Sequence, residues 1–343
     1  MNDPVNERKL QHLRIIESDP DADRHRRYFD TIRLKHRALP ELNLAEVDPS
    51  VTFMGKRLSF PLLISSMTGG DDDVLRRINR NLAVAAEQAG VAMGVGSQRV
   101  MFSHPAARAS FEVRRHAPTT LLFANLGAVQ LNYGFGVEQC REALAVSGAD
   151  ALCLHLNPLQ EAVQPKGDTD FRGLARKICD VSRQLDKPVI VKEVGAGISR
   201  EDAERLLAGG IRYVDVAGAG GTSWSRIEHH SLVKVESDDL GLAFQDWGLP
   251  TPEALRALQP CRDRLTLIAS GGLRSGIDMV KAMALGASLC GMAAPFLKPA
   301  MESAEAVGEV IARLKSEFVT ALFLLGIGRA QELVGNESVL FSS

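Results

Sequence analysis

The chain is short of three things, and each shortage excludes a class. Its five cysteines, Cys140, Cys153, Cys179, Cys261 and Cys290, are scattered, with no C-x-x-C pair and no histidine at zinc-ligand spacing. An odd, dispersed set argues against a disulfide framework or a structural zinc site and predicts buried thiols in a reducing compartment. Charge of one sign is also missing: 40 Lys and Arg stand against 42 Asp and Glu. No global field exists to attract nucleic acid or an anionic membrane. No apolar run approaches the ~18 residues of a membrane span. The opening Met1-Asn2-Asp3-Pro4-Val5-Asn6-Glu7 lacks the layout of a signal peptide. A cytoplasmic globular protein is expected. Nor does a Ser-His-Asp order, a zinc signature or a Walker loop occur in its required context.

What is present is a regular alternation. From Pro61 onward, eight short apolar runs are separated by helical patterns: Pro61–Met67, Ala92–Gly96, Thr120–Gly127, Ala151–Asn157, Pro188–Gly195, Tyr213–Gly220, Leu265–Gly272 and Leu289–Leu297. Continuous apolar runs mark parallel strands buried on both faces. Between them lie helical stripes such as Leu75, Ile78, Leu82, Ala85, Ala89 and Ile277, Val280, Ala284, Ala287. Pro105, Ser199, Thr251 and Ser275 stand where helices should start, and Gly90, Gly148 and Gly209 where they should stop. The pattern predicts an α/β fold, a (β/α)8 TIM barrel over 61–343. An open doubly wound sheet fits less well, because no composition break divides the units.

Residues 1–60 form an N-terminal extension. A helix is expected around Glu7–Glu17, and a basic stretch carries Arg24, Arg26, Arg27, Arg33, Lys35 and Arg37. Charge runs of this kind read as a solvated face or an interface. Thr52–Leu58 reads as a hairpin with Gly55-Lys56 at the turn, placed to cap the barrel floor. Residues 221–250 make a long connection after strand six, where a functional lid is expected. Trp224, Phe244 and Trp247 predict that this insertion is packed.

Barrel active sites lie at the C-terminal ends of the strands. Ser270-Gly271-Gly272-Leu273-Arg274-Ser275-Gly276 after strand seven and Gly291-Met292-Ala293-Ala294-Pro295 at strand eight predict a phosphate site. Free amides, the positive end of a helix and Arg274 would hold the dianion. Lys192 closes an apolar strand: it either snorkels to water or, if inward, meets a ring in the barrel mouth. Asn125 is either a turn former or a hydrogen-bond partner of that ring. With Ser97, Met67, Thr68 and Thr222 they outline a polar-rimmed pocket that fits flavin mononucleotide. His155 and Asn157 share a strand face, and Gln160 and Glu161 follow. Glu161 is either a surface carboxylate or a ligand for a hard cation such as Mg²⁺, which takes one or two carboxylates plus substrate phosphates. Arg8, Lys9 and His12 share one helical face.

Several segments, in order along almost the whole chain, resemble one family. They are Arg8-Lys9-x-x-His12-Leu13, Ser66-Met67-Thr68-Gly69-Gly70, Gly96-Ser97-Gln98-Arg99, His155-Leu156-Asn157-x-x-Gln160-Glu161 and Gly220-Gly221-Thr222-Ser223-Trp224. Ser270-Gly271-Gly272-Leu273-Arg274 and the terminal Leu322-Phe323-Leu324-Leu325-Gly326 match as well. The chain is similar to the type 2, flavin-dependent isopentenyl-diphosphate delta-isomerases. The resemblance implies reversible interconversion of isopentenyl and dimethylallyl diphosphates on FMN kept reduced by NADPH or another reductant. It also implies a homo-oligomer, commonly a tetramer or octamer.

By the same likeness, Ser66, Met67, Thr68, Ser97, Asn125, Lys192, Thr222, Gly272, Leu273, Arg274, Ala293 and Ala294 would bind FMN. Arg8, Lys9, His12, Ser97, Gln98, Arg99, His155, Asn157 and Gln160 would bind substrate. Glu161 would hold Mg²⁺, and Gln160 and Lys192 would be catalytic. Ala217 departs from the pattern, since some relatives carry Ser there. Glycine-rich strand ends also occur in FMN barrels that oxidise 2-hydroxy acids. Such an enzyme needs a base and a carboxylate-gripping arginine, and no His-x-x-Arg pair follows strand seven. A non-catalytic phospho-ligand sensor is the remaining alternative.

Overall fold

Eight parallel strands close on themselves. The structure, a computed structural model, describes residues 4–231 and 239–341; the side chains of residues 4–8 and of Ser231 lie outside that description. A short hairpin comes first, β1 (Val51–Phe53) and β2 (Lys56–Leu58). The barrel strands are β3 (Leu62–Ile64), β4 (Ala92–Gly94), β5 (Leu122–Gly127), β6 (Ala151–Leu156), β7 (Val189–Glu193), β8 (Tyr213–Asp215), β9 (Thr266–Ser270) and β10 (Ala287–Met292). They pair in chain order, and β10 returns to β3, so no edge is left open. Each lies inside one of the eight expected runs, except that β10 begins two residues early and stops at Met292. The apolar stretch beyond it, read as strand, is helix from Ala294, because Pro295 sits in the first turn where its missing N–H costs nothing.

The helices run in the same alternation. Ahead of the barrel lies α1 (Pro4–Ser18), and α2 (Asp73–Ala89), α3 (Val100–Ser103) and α4 (Val137–Ser147) follow β3, β4 and β5. After β6 come α5 (Pro158–Val163) and α6 (Leu174–Gln184), and after β7 comes α7 (Arg200–Ala208). The long connection after β8 holds α8 (Trp224–Ser231) and α9 (Leu240–Ala243) before α10 (Thr251–Leu258). Then α11 (Gly276–Ala284) follows β9, and α12 (Ala294–Glu302) and α13 (Ala304–Leu325) follow β10.

Local chemistry sets these limits. Asp72 caps α2 by accepting from the Val74 amide, and Gly90 ends it in the left-handed conformation at φ 64°. Ser199 and Ser275 cap α7 and α11, whereas Pro105 opens a 3-10 helix rather than an α-helix. The α11 stripe differs from the one expected. Ile277 is exposed, and Met279, Val280, Met283 and Ala284 face the core.

The hairpin turn is Met54-Gly55, both at positive φ, and Lys56 already pairs with Phe53 inside the ladder. Type I′ geometry demands two such residues, which displaces the turn by one from Gly55-Lys56. Lys56 donates to the carbonyls of Thr119 and Thr120 just ahead of β5, and Phe53 packs on Tyr213 at the start of β8. The hairpin thus lies against the N-terminal ends of the strands.

The basic stretch is not one solvated face. Arg24 is buried at 5% exposure, with its guanidinium donating to the carbonyls of Gln245, Gly195 and Trp247 at 2.7, 2.8 and 3.2 Å. Arg26 stacks over Tyr28, and Lys35 reaches the Ser338 carbonyl. All five cysteines are buried and unpaired. Burial pushes the Cys140 and Cys153 thiols up to about 12 and Cys290 higher still, so none of these three is a ready nucleophile. Among the described residues, no helix is long and apolar enough to cross a membrane.

Candidate active site

The barrel mouth is one cavity that reaches the C-terminal ends of the strands. Parallel pairing places His155 of β6 level with Lys192 of β7, and Lys192 level with Asp215 of β8. Lys192 points inward. Its ammonium lies 2.8 Å from Asp215 Oδ2 and donates to Ser270 Oγ at 3.0 Å; that hydroxyl donates to Asp215 Oδ1 at 2.7 Å. Of the two expectations for Lys192 the inward one holds, and a carboxylate that is 1% exposed balances it from behind. Asp215 also orients the next turn by accepting from the Ala217 amide at 3.2 Å. Ala217 lines the cavity at φ 37°, a left-handed conformation unusual for a residue with a Cβ.

Across the floor runs a chain of amide and hydroxyl contacts. Asn125 donates to Ser66 Oγ at 2.8 Å, which turns its Oδ1 toward His155 Nδ1 at 2.7 Å. The imidazole must then donate from Nδ1, with Nε2 on the side of Gly127. Burial, with help from the Lys192 and Lys9 charges, pushes His155 down to about 4, so the ring is neutral at pH 7.

A pH dependence of stability follows. The unfolded histidine titrates near 6.5, so between pH 4 and 6.5 the unfolded chain binds a proton that the native site refuses. Stability should therefore rise with pH across that window and level off above it. His155→Asn should remove one proton from the slope of urea midpoint against pH; an unchanged slope would show that His155 is charged in the native cavity.

At the end of β6 the chain turns into α5. Asn157, buried at 4%, donates to Glu161 Oε1 at 2.9 Å and sits 3.1 Å from Gln160 Oε1. Glu161 Oε2 accepts from Gln164 and from the Asp168 amide at 2.7 Å. Gln160 in turn donates to Glu228 Oε1 at 2.7 Å, a carboxylate of α8 that is 1% exposed. The roof is α1. Lys9 donates to the carbonyls of Gly69 and Ser97, His12 packs edge-on against Trp224, and His12 Nε2 lies 3.3 Å from Glu228. Arg99, on the rim, pairs with Asp168 at 2.7 Å.

Glycines shape the far side. A Cβ on Gly221 would stand 3.0 Å from the Gly272 amide, so the two loops can touch only because neither carries a side chain. Gly272, Arg274, Ala293, Ala294 and Thr222 line this end, and Ser66, Met67, Thr68 and Ser97 line the opposite wall. The amides of Gly272, Leu273 and Ala293 have no backbone partner among the described residues. The α11 terminus, by contrast, is taken: Asp278 accepts from the amides of Arg274 and Ser275 at 3.0 and 3.1 Å. Glu317 takes the Gly276 amide at 2.7 Å. The helix end expected to bind phosphate is already neutralised by carboxylates, which leaves the glycine loop and Arg274.

Two sequence candidates stand outside the cavity. Gln98 is fully buried; it donates to the Ala143 carbonyl and accepts from the Asn125 amide, so it braces the wall from behind. Leu273 packs in the core, and only its backbone faces the loop. The Arg8 side chain lies outside the described residues. Asp215 and Glu228 escaped the sequence reading. Asp215 carried a signal, since a charge inside the apolar run Tyr213–Gly220 calls for a partner. Glu228 carried none, because a long insertion has no register to place it.

A family profile described as FMN-dependent dehydrogenase matches residues 16–118 and 145–340. The isopentenyl-diphosphate delta-isomerase of Paracoccus zeaxanthinifaciens is 56% identical over 337 residues, covering 97% of this chain and 96% of that protein. The protein of the same name from Hydrogenovibrio crunogenus is 51% identical over 337 residues, covering 98% of each. The chain belongs to the type 2, FMN-dependent isopentenyl-diphosphate delta-isomerase family. Among solved structures, a soluble mutant of the (S)-mandelate dehydrogenase of Pseudomonas putida superimposes with a TM-score of 0.66 at 21% identity, covering 98% of this chain and 92% of that one. Flavocytochrome b2 superimposes with a TM-score of 0.64 at 19% identity, covering 99% and 79%. These two share the barrel with the isomerase family, and at such identities the likeness extends to the fold alone.

Proposed function

We propose that the chain converts isopentenyl diphosphate to dimethylallyl diphosphate and back, in isoprenoid biosynthesis, with FMN held reduced by NADPH and with Mg²⁺. One observation carries the reading: α1 brings Lys9 and His12 down onto a cluster of His155, Asn157, Gln160 and Glu161 at the far end of a glycine-lined cofactor cavity. Cations and a carboxylate gathered at one end suit a diphosphate with its metal. The space between suits a small apolar tail. Neither histidine that lines the cavity, His12 or His155, has an arginine three residues on, the pair that 2-hydroxy-acid oxidation would need.

The residues present fit both FMN and Mg²⁺. The unpartnered amides of Gly272, Leu273 and Ala293, with Arg274, suit the flavin phosphate, while Asn125, Ser97 and Lys192 edge the ring. Glu161 offers one free lone pair beside Asn157 Oδ1, which is buried without a partner. Reduced FMN would supply electron density to stabilise charge developing on the alkene, and Mg²⁺, held by Glu161, would neutralise the diphosphate. Lys9, Arg99 and neutral His155 orient the diphosphate. Gln160, an amide, is too weak an acid or base to move a proton alone. Its bond to Glu228 fixes which way the amide points, and His12 beside that carboxylate completes a polar path along the roof. Closure of α1 and α8 excludes the water that would quench cationic character on the substrate.

The test is anaerobic. Enzyme reduced with one equivalent of dithionite or NADPH is mixed with isopentenyl diphosphate, and product is counted per flavin. Many turnovers with a persistent reduced spectrum are expected. One turnover per reductant would revive the oxidoreductase reading, and no turnover with intact phosphate-ligand binding would point to a sensor.

A further inference from the structure

The segment between α1 and the hairpin crosses the phosphate end of the cavity. Ser223 donates to the Ala22 carbonyl at 2.8 Å, and Arg24 donates from its backbone to Gly221 at 3.1 Å, so Asp23 bridges Thr222 in antiparallel fashion. Farther on, the Arg27 carbonyl lies 3.0 Å from where a Cβ would stand on Gly220, and equally close to one on Gly272. Lys281 of α11 donates to the Phe29 carbonyl at 2.8 Å. A strap of residues 22–29 is thus stitched across both glycine loops that form the cradle.

The strap also reaches Arg274. Asp23 accepts from Arg274 Nε at 3.2 Å and from Nη2, a side-on fork, while Arg274 Nη1 donates to the Leu273 carbonyl at 2.7 Å. A guanidinium has five N–H donors. Three are used, which leaves one on each terminal nitrogen, the pair that matches two phosphate oxygens. Asp278 and Glu317 already satisfy the α11 terminus. Arg274 is therefore the cavity's main positive group at this end, and its orientation decides how well a phosphate is held.

We propose that Asp23 is a positioning residue for the cofactor phosphate: it fixes the Arg274 plane, so phosphate retention requires the strap to be docked. The proposal rests on the FMN reading above. Arg27, whose Nη2 lies 3.6 Å from Asp23, keeps the trio net positive and lets a carboxylate stand near an anion without repelling it. Because the strap continues from α1, which carries Lys9 and His12, cofactor phosphate and substrate roof become parts of one closure.

The experiment compares FMN with riboflavin, which lacks the phosphate. Apoprotein is titrated with each while flavin fluorescence is followed, and hydrogen exchange of residues 19–29 is measured in both complexes. Wild-type protein should prefer FMN, and FMN but not riboflavin should protect the strap. Asp23→Ala should weaken FMN by about 10- to 100-fold, the scale of an oriented charge-assisted pair, and leave riboflavin within about twofold. Asp23→Asn should fall between, since it keeps one acceptor. Equal losses for both flavins would reduce Asp23 to a structural role, and unchanged or tighter FMN binding would overturn the proposal outright. A wild-type protein indifferent to the phosphate would instead sink the FMN reading itself.

Discussion

Lys192→Met should cost the protein both stability and turnover, and the two losses should come apart. Lys192 is the only cation within contact of Asp215 among the described ion pairs, and Asp215 is 1% exposed. Removing one member of a buried pair leaves an uncompensated charge, worth about 3–5 kcal/mol. The Ser270 hydroxyl already gives its one proton to Asp215 and only accepts from Lys192, so it cannot make good the loss. Asp215→Asn in the same chain removes the orphaned charge, so the double variant should regain most of the lost stability in urea. Turnover should not return. In the proposed function the ammonium is the fixed positive edge of the flavin ring site, which a thioether cannot replace, so a fall of about 100-fold or more is expected in both variants, as for removal of a preorganised electrostatic contact. FMN should also bind less tightly, with its reduction potential shifted downward. A double variant that is stable and as fast as wild type would show that Lys192 only anchors the wall.

The barrel was legible because its signal is redundant. The strands are buried on both faces, β5 and β7 at all positions, so most appear as largely apolar runs whatever the register. Lateral pairing is a different matter. That His155, Lys192 and Asp215 stand level depends on strand alignment to the residue, and a slip of one turns each side chain to the opposite face. The sequence therefore named Lys192 and His155 but not the carboxylate that neutralises the first.

Loop residues were harder still. Ser97, Gln98 and Arg99 read as one motif, yet only the outer two face the cavity, while Gln98 turns back to the Ala143 carbonyl. Arg24 looked like one charge among six, but its partners are carbonyls 171 to 223 residues away, which no local pattern encodes. The α11 terminus offered a warning that the phosphate reading passed over. Ser275-x-x-Asp278 is a capping box, the pattern of a helix end that satisfies its own amides. A terminus so capped is a poor anion site, and the glycine loop before it is the better one.

Glu161→Gln should abolish the Mg²⁺ requirement together with most activity while FMN stays bound. The carboxylate is 5% exposed and accepts three hydrogen bonds, from Asn157, Gln164 and the Asp168 amide. A carboxylate has about four lone-pair sites, so one remains for a cation, beside the unpartnered Asn157 Oδ1. Among the described residues, no group of three metal-ligating side chains exists. One carboxylate and one amide oxygen cannot form a cage, so a Mg²⁺ bound here would need substrate phosphate and water to complete its coordination. The substitution also points an amide N–H₂ at donors, an additional cost of about 1–3 kcal/mol for the pair left unsatisfied. Glu161→Asp, which keeps the charge but retracts it, controls for that. The measurement is pyrophosphate binding by calorimetry with and without Mg²⁺, beside turnover and flavin absorbance. Wild-type protein should bind pyrophosphate more tightly with Mg²⁺, Glu161→Asp should keep part of that gain, and Glu161→Gln should show none, with turnover down by about 100-fold or more. A Glu161→Gln protein whose pyrophosphate affinity still rises with Mg²⁺ as in wild type would place the metal on other ligands and leave Glu161 as the brace between Asn157 and Asp168.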